Sequence, residues 1–373
     1  MIPKYRQAFN RQYSNERYAR YQQAVQDAFD YPPHFRLLET PVFLPKDLVQ
    51  QLKSASISII EQLKKSSFRS QTHHAIPDHQ LVPNEDEHPL FLQFDFAITR
   101  SSNGQLRPQL IELQGFPALF FFQLAASDGF RSVYDFDGFT GYYGGFDRQA
   151  YIQALQENIL GNHHPEQVIL LEFDPWHQKT AIDFAGARQV LKIPVVDIRH
   201  LHRVGRQLFY RNQHHQSIPI RRIFNRVILD EIAHHPHQYW AFDLTQDVDV
   251  EWAGHPNWFL KYSKFALPFI EGDFVPKSIF LDQWHGDKAL LSRSVLKPIF
   301  SFSGQGVTIQ PTQKIIDKIQ NKQQYILQEK IDYAPILPSP EQQLSQVEVR
   351  VMLIQNPHKT GEYLFMTNLV RAG

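Results

Sequence analysis

Three oxygen-bearing side chains sit at a spacing that could hold a hard cation. Asp95 lies in Phe91-Leu-Gln-Phe-Asp-Phe-Ala-Ile-Thr99, and Glu112 and Gln114 lie in Gln109-Leu-Ile-Glu-Leu-Gln-Gly115. Both stretches alternate polar and apolar residues around Asn103-Gly104, which predicts a β-hairpin. On paired strands Asp95 neighbours Glu112, and Gln114 follows two positions on, along the same face. Two carboxylates and an amide carbonyl suit Mg2+, although a half-exposed hairpin with a solvated polar face has the same spacing. A second candidate is Ser294-Val-Leu-Lys-Pro-Ile-Phe-Ser-Phe-Ser-Gly-Gln-Gly-Val307, where a short apolar strand delivers Lys297 next to a polar loop over 301–306. Val307-Thr-Ile309 reads as the returning strand. Glycine has no Cβ, so such a loop can turn backbone N–H groups towards an anion, and the lysine adds a point charge for phosphate. A plain hairpin with a solvated lysine is the competing description of this stretch.

The composition bounds what surrounds these residues. A chain of 373 residues with 42% hydrophobic content can bury a large core and divides into two or three domains. Lys plus Arg and Asp plus Glu number 38 each, so no net charge draws it to nucleic acid or to a membrane, and an anion site must be built locally. The absence of cysteine excludes disulfides, thiolate zinc sites and a cysteine nucleophile. No signal-peptide pattern or membrane-length apolar run is present, and the expectation is a cytoplasmic protein. The histidine groups His73-His74, His163-His164, His214-His215 and His234-His235-Pro-His237 lack helical ligand spacing and read as surface residues.

The elements that must position the candidates follow in chain order. Tyr18, Tyr21, Val25 and Phe29 predict a helix over 14–29, and Leu48, Leu52, Ala55, Ile59 and Leu63 predict another from Pro45. Residues 66–89 read as a long polar loop, and the Gly- and aromatic-rich 116–145 as an ordered loop lining a pocket. Helix 148–159, strand 168–173, helix 180–191 and strand 194–198 form a βαβ unit and hence a parallel sheet, with a further strand over 223–229. No G-x-G-x-x-G follows its first strand, so dinucleotide binding is not supported. An extended segment over 275–280, a helix over 312–321 and strands over 325–331, 346–354 and 362–370 complete the chain. In the fourth of these, Glu348 and Arg350 share one face.

The order of parts from Lys264 to Arg371 resembles the ATP-grasp superfamily. The matching features are Lys264, the Val275-Pro-Lys-Ser278 strand, the Lys297 strand with its glycine loop, a hinge strand over 325–331, Glu348-Val-Arg350 and a later strand ending at Arg371. The metal-bearing part that ordinary members place afterwards has its counterpart at the other end: a helix over 45–65, a strand with Asp95, and Glu112-Leu-Gln114-Gly115. The chain therefore resembles a circularly permuted member of the glutathione synthetase or carboxylate–amine ligase type. The fold class this implies is α+β and α/β: two α+β subdomains clasping ATP, with an additional Rossmann-like βαβ domain. The implied divisions are 1–146, a permuted C-terminal ATP-grasp subdomain carrying the metal site; 147–256, the substrate-side βαβ domain; 257–327, the lid subdomain with the glycine loop; and 328–373, the hinge and remaining strands.

The resemblance implies an ATP- and Mg2+-dependent ligase that joins a carboxylate to an amine or peptide through an acylphosphate. Lys264 and Lys297 would meet the α- and β-phosphates, and Ser303, Gly304, Gln305 and Gly306 the γ-phosphate. Gln328, Glu329, Lys330 and Ile331 would meet adenine and ribose, with Glu348 also on the nucleotide side. Asp95, Glu112 and Gln114 would hold Mg2+; Gln114 stands where most members have Asn, so its reach differs. Arg350, Arg371 and Lys297 would act on the transferring phosphoryl group. Asn225, Arg226 and Arg131 could hold the acid substrate. A non-catalytic nucleotide-binding scaffold and a phosphotransferase acting on a hydroxyl are the other readings.

Overall fold

The computed structural model describes residues 1–135, 138–229, 232, 242–301, 304–339, 341 and 343–373. Ser303, the His234-His235-Pro-His237 group and part of the aromatic stretch (Phe136 and Asp137) lie outside the described residues.

The predicted hairpin forms from β1 (Phe91–Arg100) and β2 (Leu106–Gln114), and it is built into a larger antiparallel sheet. Strand β15 (Leu344–Gln355) lies along β1 and has β16 (Tyr363–Ala372) as its other neighbour, while β14 (Pro335–Pro338) pairs with its first residues. Strands distant in sequence thus share one sheet. One face is covered by α3 (Lys46–Leu63), whose apolar stripe of Leu48, Leu52, Ala55, Ile59 and Leu63 is buried with Phe94, Phe96 and Ile98. Each buried Leu, Ile or Phe among them contributes about 1.5–3 kcal/mol. Strand alternation then turns Gln93, Asp95 and Ala97 to the opposite face.

A second antiparallel sheet, in the order β10 (Ser278–Phe280), β13 (Tyr325–Glu329), β11 (Ser294–Pro298), β12 (Thr308–Ile309), carries the Lys297 hairpin. A third sheet is parallel, as the βαβ pattern predicts: β4 (Val195–Asp197), β3 (Val168–Glu172), β8 (Arg222–Asn225), β9 (Glu251–Ala253). Helix α7 (Ala181–Leu191) makes the crossover between β3 and β4. A small antiparallel sheet of β5 (His202–Val204), β6 (Gln207–Arg211) and β7 (Ser217–Pro219) precedes β8. One core joins α2 (Asn15–Phe29), α5 (Phe122–Val133), α6 (Arg148–Leu160), α7 and the parallel sheet.

Several elements differ from expectation. Residues 66–89 open with helix α4 (Ser66–His73), which buries only Phe68 and Thr72, too few apolar positions to mark a period. The stretch 116–145 contains α5, disguised by Gly129, Ser127 and Asp128. Gly129 lets α5 pack closely on α2, where a Cβ would crowd Val25 at 3.1 Å and Tyr21 at 3.2 Å. Helix α1 (Pro3–Gln12) adds a turn-rich segment that periodicity did not reveal. The helix expected over 312–321 shrinks to Gln313–Ile316. The strand expected over 223–229 stops at Asn225, whose side chain bonds to the backbone of Val227 in both directions and turns the chain.

Candidate functional site

The polar face of the large sheet carries a row of charges set by strand register. Asp95 on β1 is the register partner of Glu112 on β2 and of Arg350 on β15. One strand further out, Arg371 on β16 pairs in register with Glu348 on β15. The β1–β2 register slips just past Asp95, since Asp95 faces Glu112 but Phe96 faces Leu110. Ile111 is the extra residue of this bulge, and the bulge turns its carbonyl out of the ladder. Lys297 Nζ, coming from the second sheet, donates to that carbonyl at 3.0 Å and to Gln328 Oε1 at 2.6 Å. Lys264 Nζ makes a parallel link, to Glu112 Oε1 at 3.2 Å and to the Ser301 carbonyl at 2.6 Å. The base of the glycine loop is thereby tied to the sheet below it.

Asp95 is 1% exposed. Arg350 grips it with Nε on Oδ1 at 2.6 Å and Nη2 on Oδ2 at 2.7 Å, and Arg371 Nη2 adds a third bond to Oδ2 at 2.7 Å. Burial pushes this carboxyl up, but the guanidinium groups of Arg350 and Arg371 outweigh it and hold the group below the usual carboxylate range. Glu348 accepts from the Tyr333 hydroxyl at 2.8 Å and from Arg371 at 3.0 Å. Burial, reinforced by Glu348, pushes the Tyr333 phenol well up. Lys297 is lowered to about 8, chiefly by burial and then by the positive charge of Lys264. The Gln328 amide nitrogen beside it is buried with no hydrogen-bond partner among the described residues. A cleft of about 320 Å³ opens along this row, lined by Tyr333, Gln346, Glu348, Arg371, Ala372 and Gly373.

Lys264, Lys297, Arg350 and Arg371 therefore gather around Asp95, Glu112 and Glu348, leaving positive charge in excess. That balance suits an anion. Gly304 and Gly306, at φ +73° and +71°, give the adjoining loop the left-handed backbone that glycine permits, with exposed Gln305 between them. In the hinge, the amides of Glu329 and Lys330 are committed to the carbonyls of Lys277 and Arg293 at 2.8 Å each. Lys330 also pairs with Asp332.

The expected metal set divides. Glu112 and Gln114 are half-buried on one face and could offer two oxygen ligands, with phosphate and water completing the shell. Asp95 does not fit, because both its oxygens are occupied by guanidinium groups and it is sealed from solvent. Among the described residues no group of three His, Cys, Asp or Glu side chains could hold a metal.

The expected acid-binding residues lie elsewhere in the fold. Arg226 is 4% exposed, pairs with Asp183 at 3.1 Å and is flanked by the rings of Phe116 and Phe184, each 5.0 Å away. Asp183 in turn accepts from the amides of Leu119, Phe121 and Phe122. Asn225 closes its own turn, and Arg131 is exposed on α5, donating to the Phe139 carbonyl at 2.8 Å. Conversely, Tyr333 and the carbonyls of Ile111 and Ser301 belong to the cluster without any mark in the sequence, since tertiary register alone places them.

No model of a known protein family matches the chain, and no curated protein matches it. Among solved structures, it is similar to a glutathione synthetase-like effector from Globodera pallida, determined in its apo form. The match covers 94% of this chain and 94% of that one, with a TM-score of 0.58 and 14% sequence identity. The fold is glutathione synthetase-like. No helix among the described residues is long and apolar enough to cross a membrane.

Proposed function

We propose that the chain is an ATP- and Mg2+-dependent ligase that joins a carboxylate to an amine. The observation that carries this reading is the gathering of four cationic side chains around three carboxylates, with Lys297 and the Gln328 side-chain nitrogen, which has no partner among the described residues, both buried at its edge. The glutathione synthetase-like fold supports it as an analogy of scaffold. The union of β1 and β2 with β14, β15 and β16 in one sheet supports a circularly permuted ATP-grasp arrangement.

In this reading Lys264 and Lys297 exchange Glu112 and Ile111 for the α- and β-phosphates of ATP, and the Gly304–Gly306 backbone covers the γ-phosphate. Arg350 and Arg371 stabilise charge on the transferring group, a role in which one such contact lowers the barrier by about 2.7–4 kcal/mol. A carboxylate oxygen of the acid forms a bond to the γ-phosphorus as the bond to ADP breaks. The amine nitrogen then forms the C–N bond, loses a proton, and phosphate leaves. Mg2+ at Glu112 and Gln114 would neutralise phosphate charge during the transfer. No side-chain proton transfer is required in the phosphoryl step, where positioning and electrostatics dominate.

Thermal melting tests the nucleotide part. At about a hundred times its Kd, ATP with Mg2+ adds ~2.7 kcal/mol of stability, and Lys297→Ala should abolish the shift. An unshifted wild type sinks the reading. ADP release over a panel of acids and amines then separates a ligase from a non-catalytic scaffold, the second reading, which is favoured by the closure of Asp95 to metal. Release with a hydroxyl compound in place of the amine would point to a phosphotransferase.

A further inference from the structure

We propose that Asp95 is the positioning residue of the Arg350 and Arg371 pair and takes no part in holding a metal ion. The inference rests on the ligase reading for the purpose of the two arginines, but its structural basis is separate. Asp95 Oδ2 accepts from Nη2 of both arginines at 2.7 Å, so two guanidinium groups from neighbouring strands converge on one oxygen. Two like charges brought that close repel unless an anion lies between them. Asp95 supplies it from β1, and Glu348 supplies a second contact to Arg371 at 3.0 Å.

The donors left over have a consistent meaning. Arg350 uses Nε and Nη2 on Asp95, and Arg371 uses Nη2, so Nη1 of each carries no hydrogen bond to another described residue. Arg371 is 43% exposed and lines the cleft, where its remaining donors can serve an anionic substrate, while the buried Arg350 backs it. Fixing one edge of a guanidinium with a bidentate carboxylate presents the rest in a set plane. A divalent cation at Asp95 would have to displace these bonds and lie against two positive charges, which the site does not favour. Glu112, with an oxygen not held by Lys264, is the carboxylate open to a metal.

A mutant cycle read by calorimetry tests this. ATP affinity at saturating Mg2+ and the Mg2+ midpoint at saturating ATP are measured for wild type, Asp95→Asn, Arg350→Gln and the double variant. The double variant removes charge and partner together, so it remains usable if Asp95→Asn alone leaves the guanidinium groups too poorly paired to fold. A positioning residue predicts that Asp95→Asn weakens ATP by about tenfold, leaves the Mg2+ midpoint within about twofold, and costs clearly less once Arg350 is gone, when only Arg371 is left for it to hold. Losses that add in the double variant, or a Mg2+ midpoint raised about tenfold by Asp95→Asn, overturn the proposal. Glu112→Gln is the control that should raise that midpoint. Failure of wild type to bind ATP overturns the ligase reading and not this one. The proposal is then judged on the free protein by paramagnetic detection of Mn2+: binding lost in Asp95→Asn refutes it, and a response unchanged by the substitution upholds it.

Discussion

Lys297 carries the sharpest consequence at the scale of single residues. Its amine, lowered to about 8 by burial, is largely neutral at moderately alkaline pH. A phosphate beside it would favour the charged form and raise the pKa towards the ordinary lysine range. Binding near pH 8.5, about half a unit above the free value, should therefore take up a proton, whereas near pH 6 both states are charged and uptake vanishes. The calorimetric enthalpy of ATP binding should accordingly depend on buffer ionisation heat at the higher pH only. The residues of this cluster were partly legible. Lys297, Glu112 and Arg350 could be placed from their order along the chain. The grip of Arg350 on Asp95 could not, because it spans 255 positions and depends on which strand lies beside β1. The same fact moves Asp95 from an expected ligand to a partner of arginine.

At the scale of elements, alternation and the Asn-Gly turn put Asp95 and Glu112 on adjacent strands, but the turn-side register (Arg100 with Leu106, Phe96 with Leu110) would bring Asp95 opposite Ile111, and only the bulge moves Glu112 beside it. The bulge at Ile111 left no trace, since one extra apolar residue looks like any other strand residue. Helix α5 was hidden for a related reason: it packs on α2 at Gly129, where a Cβ would crowd Val25 and Tyr21, and periodicity scores glycine as a break. The glycine loop gives a paired prediction. A Cβ at Gly304 meets nothing within 4 Å, so Gly304→Ala should cost only the left-handed backbone, about 1–2 kcal/mol. A Cβ at Gly306 would lie 2.7 Å from Pro298 Cγ, so Gly306→Ala should cost more than its neighbour. Local hydrogen exchange around Val307 and the ATP-induced shift in melting measure the difference.

Across the whole molecule, the pair of Asp183 and Arg226 fastens the parallel-sheet unit to the chain leaving β2. Asp183, at the start of α7, takes the amides of Leu119, Phe121 and Phe122 as well as Arg226, and it is 2% exposed. Asp183→Ala should destabilise the protein by about 3–5 kcal/mol, as removal of one partner strands a buried charge. Urea unfolding measures this. Arg226→Ala should likewise lower stability and leave the affinity for an acid substrate nearly unchanged, the reverse of what a substrate contact would show. The overall layout was legible as a βαβ unit beside antiparallel sheets, because periodicity distinguishes them. Which units share a core was not, since Tyr21, Phe121, Phe184 and Phe224 meet only in three dimensions.

The bulged carbonyl of Ile111 has one more effect. It is a tethered competitor for Lys297, present at a fixed effective concentration that dilution cannot lower. Being main chain, this rival survives any side-chain replacement at position 111, and being neutral it resists salt. An anion must outbid it at every encounter, so the observed affinity is the intrinsic one reduced by the fraction of lysine already engaged. Such a cleft ignores scarce ligand and fills over a range set by its own backbone.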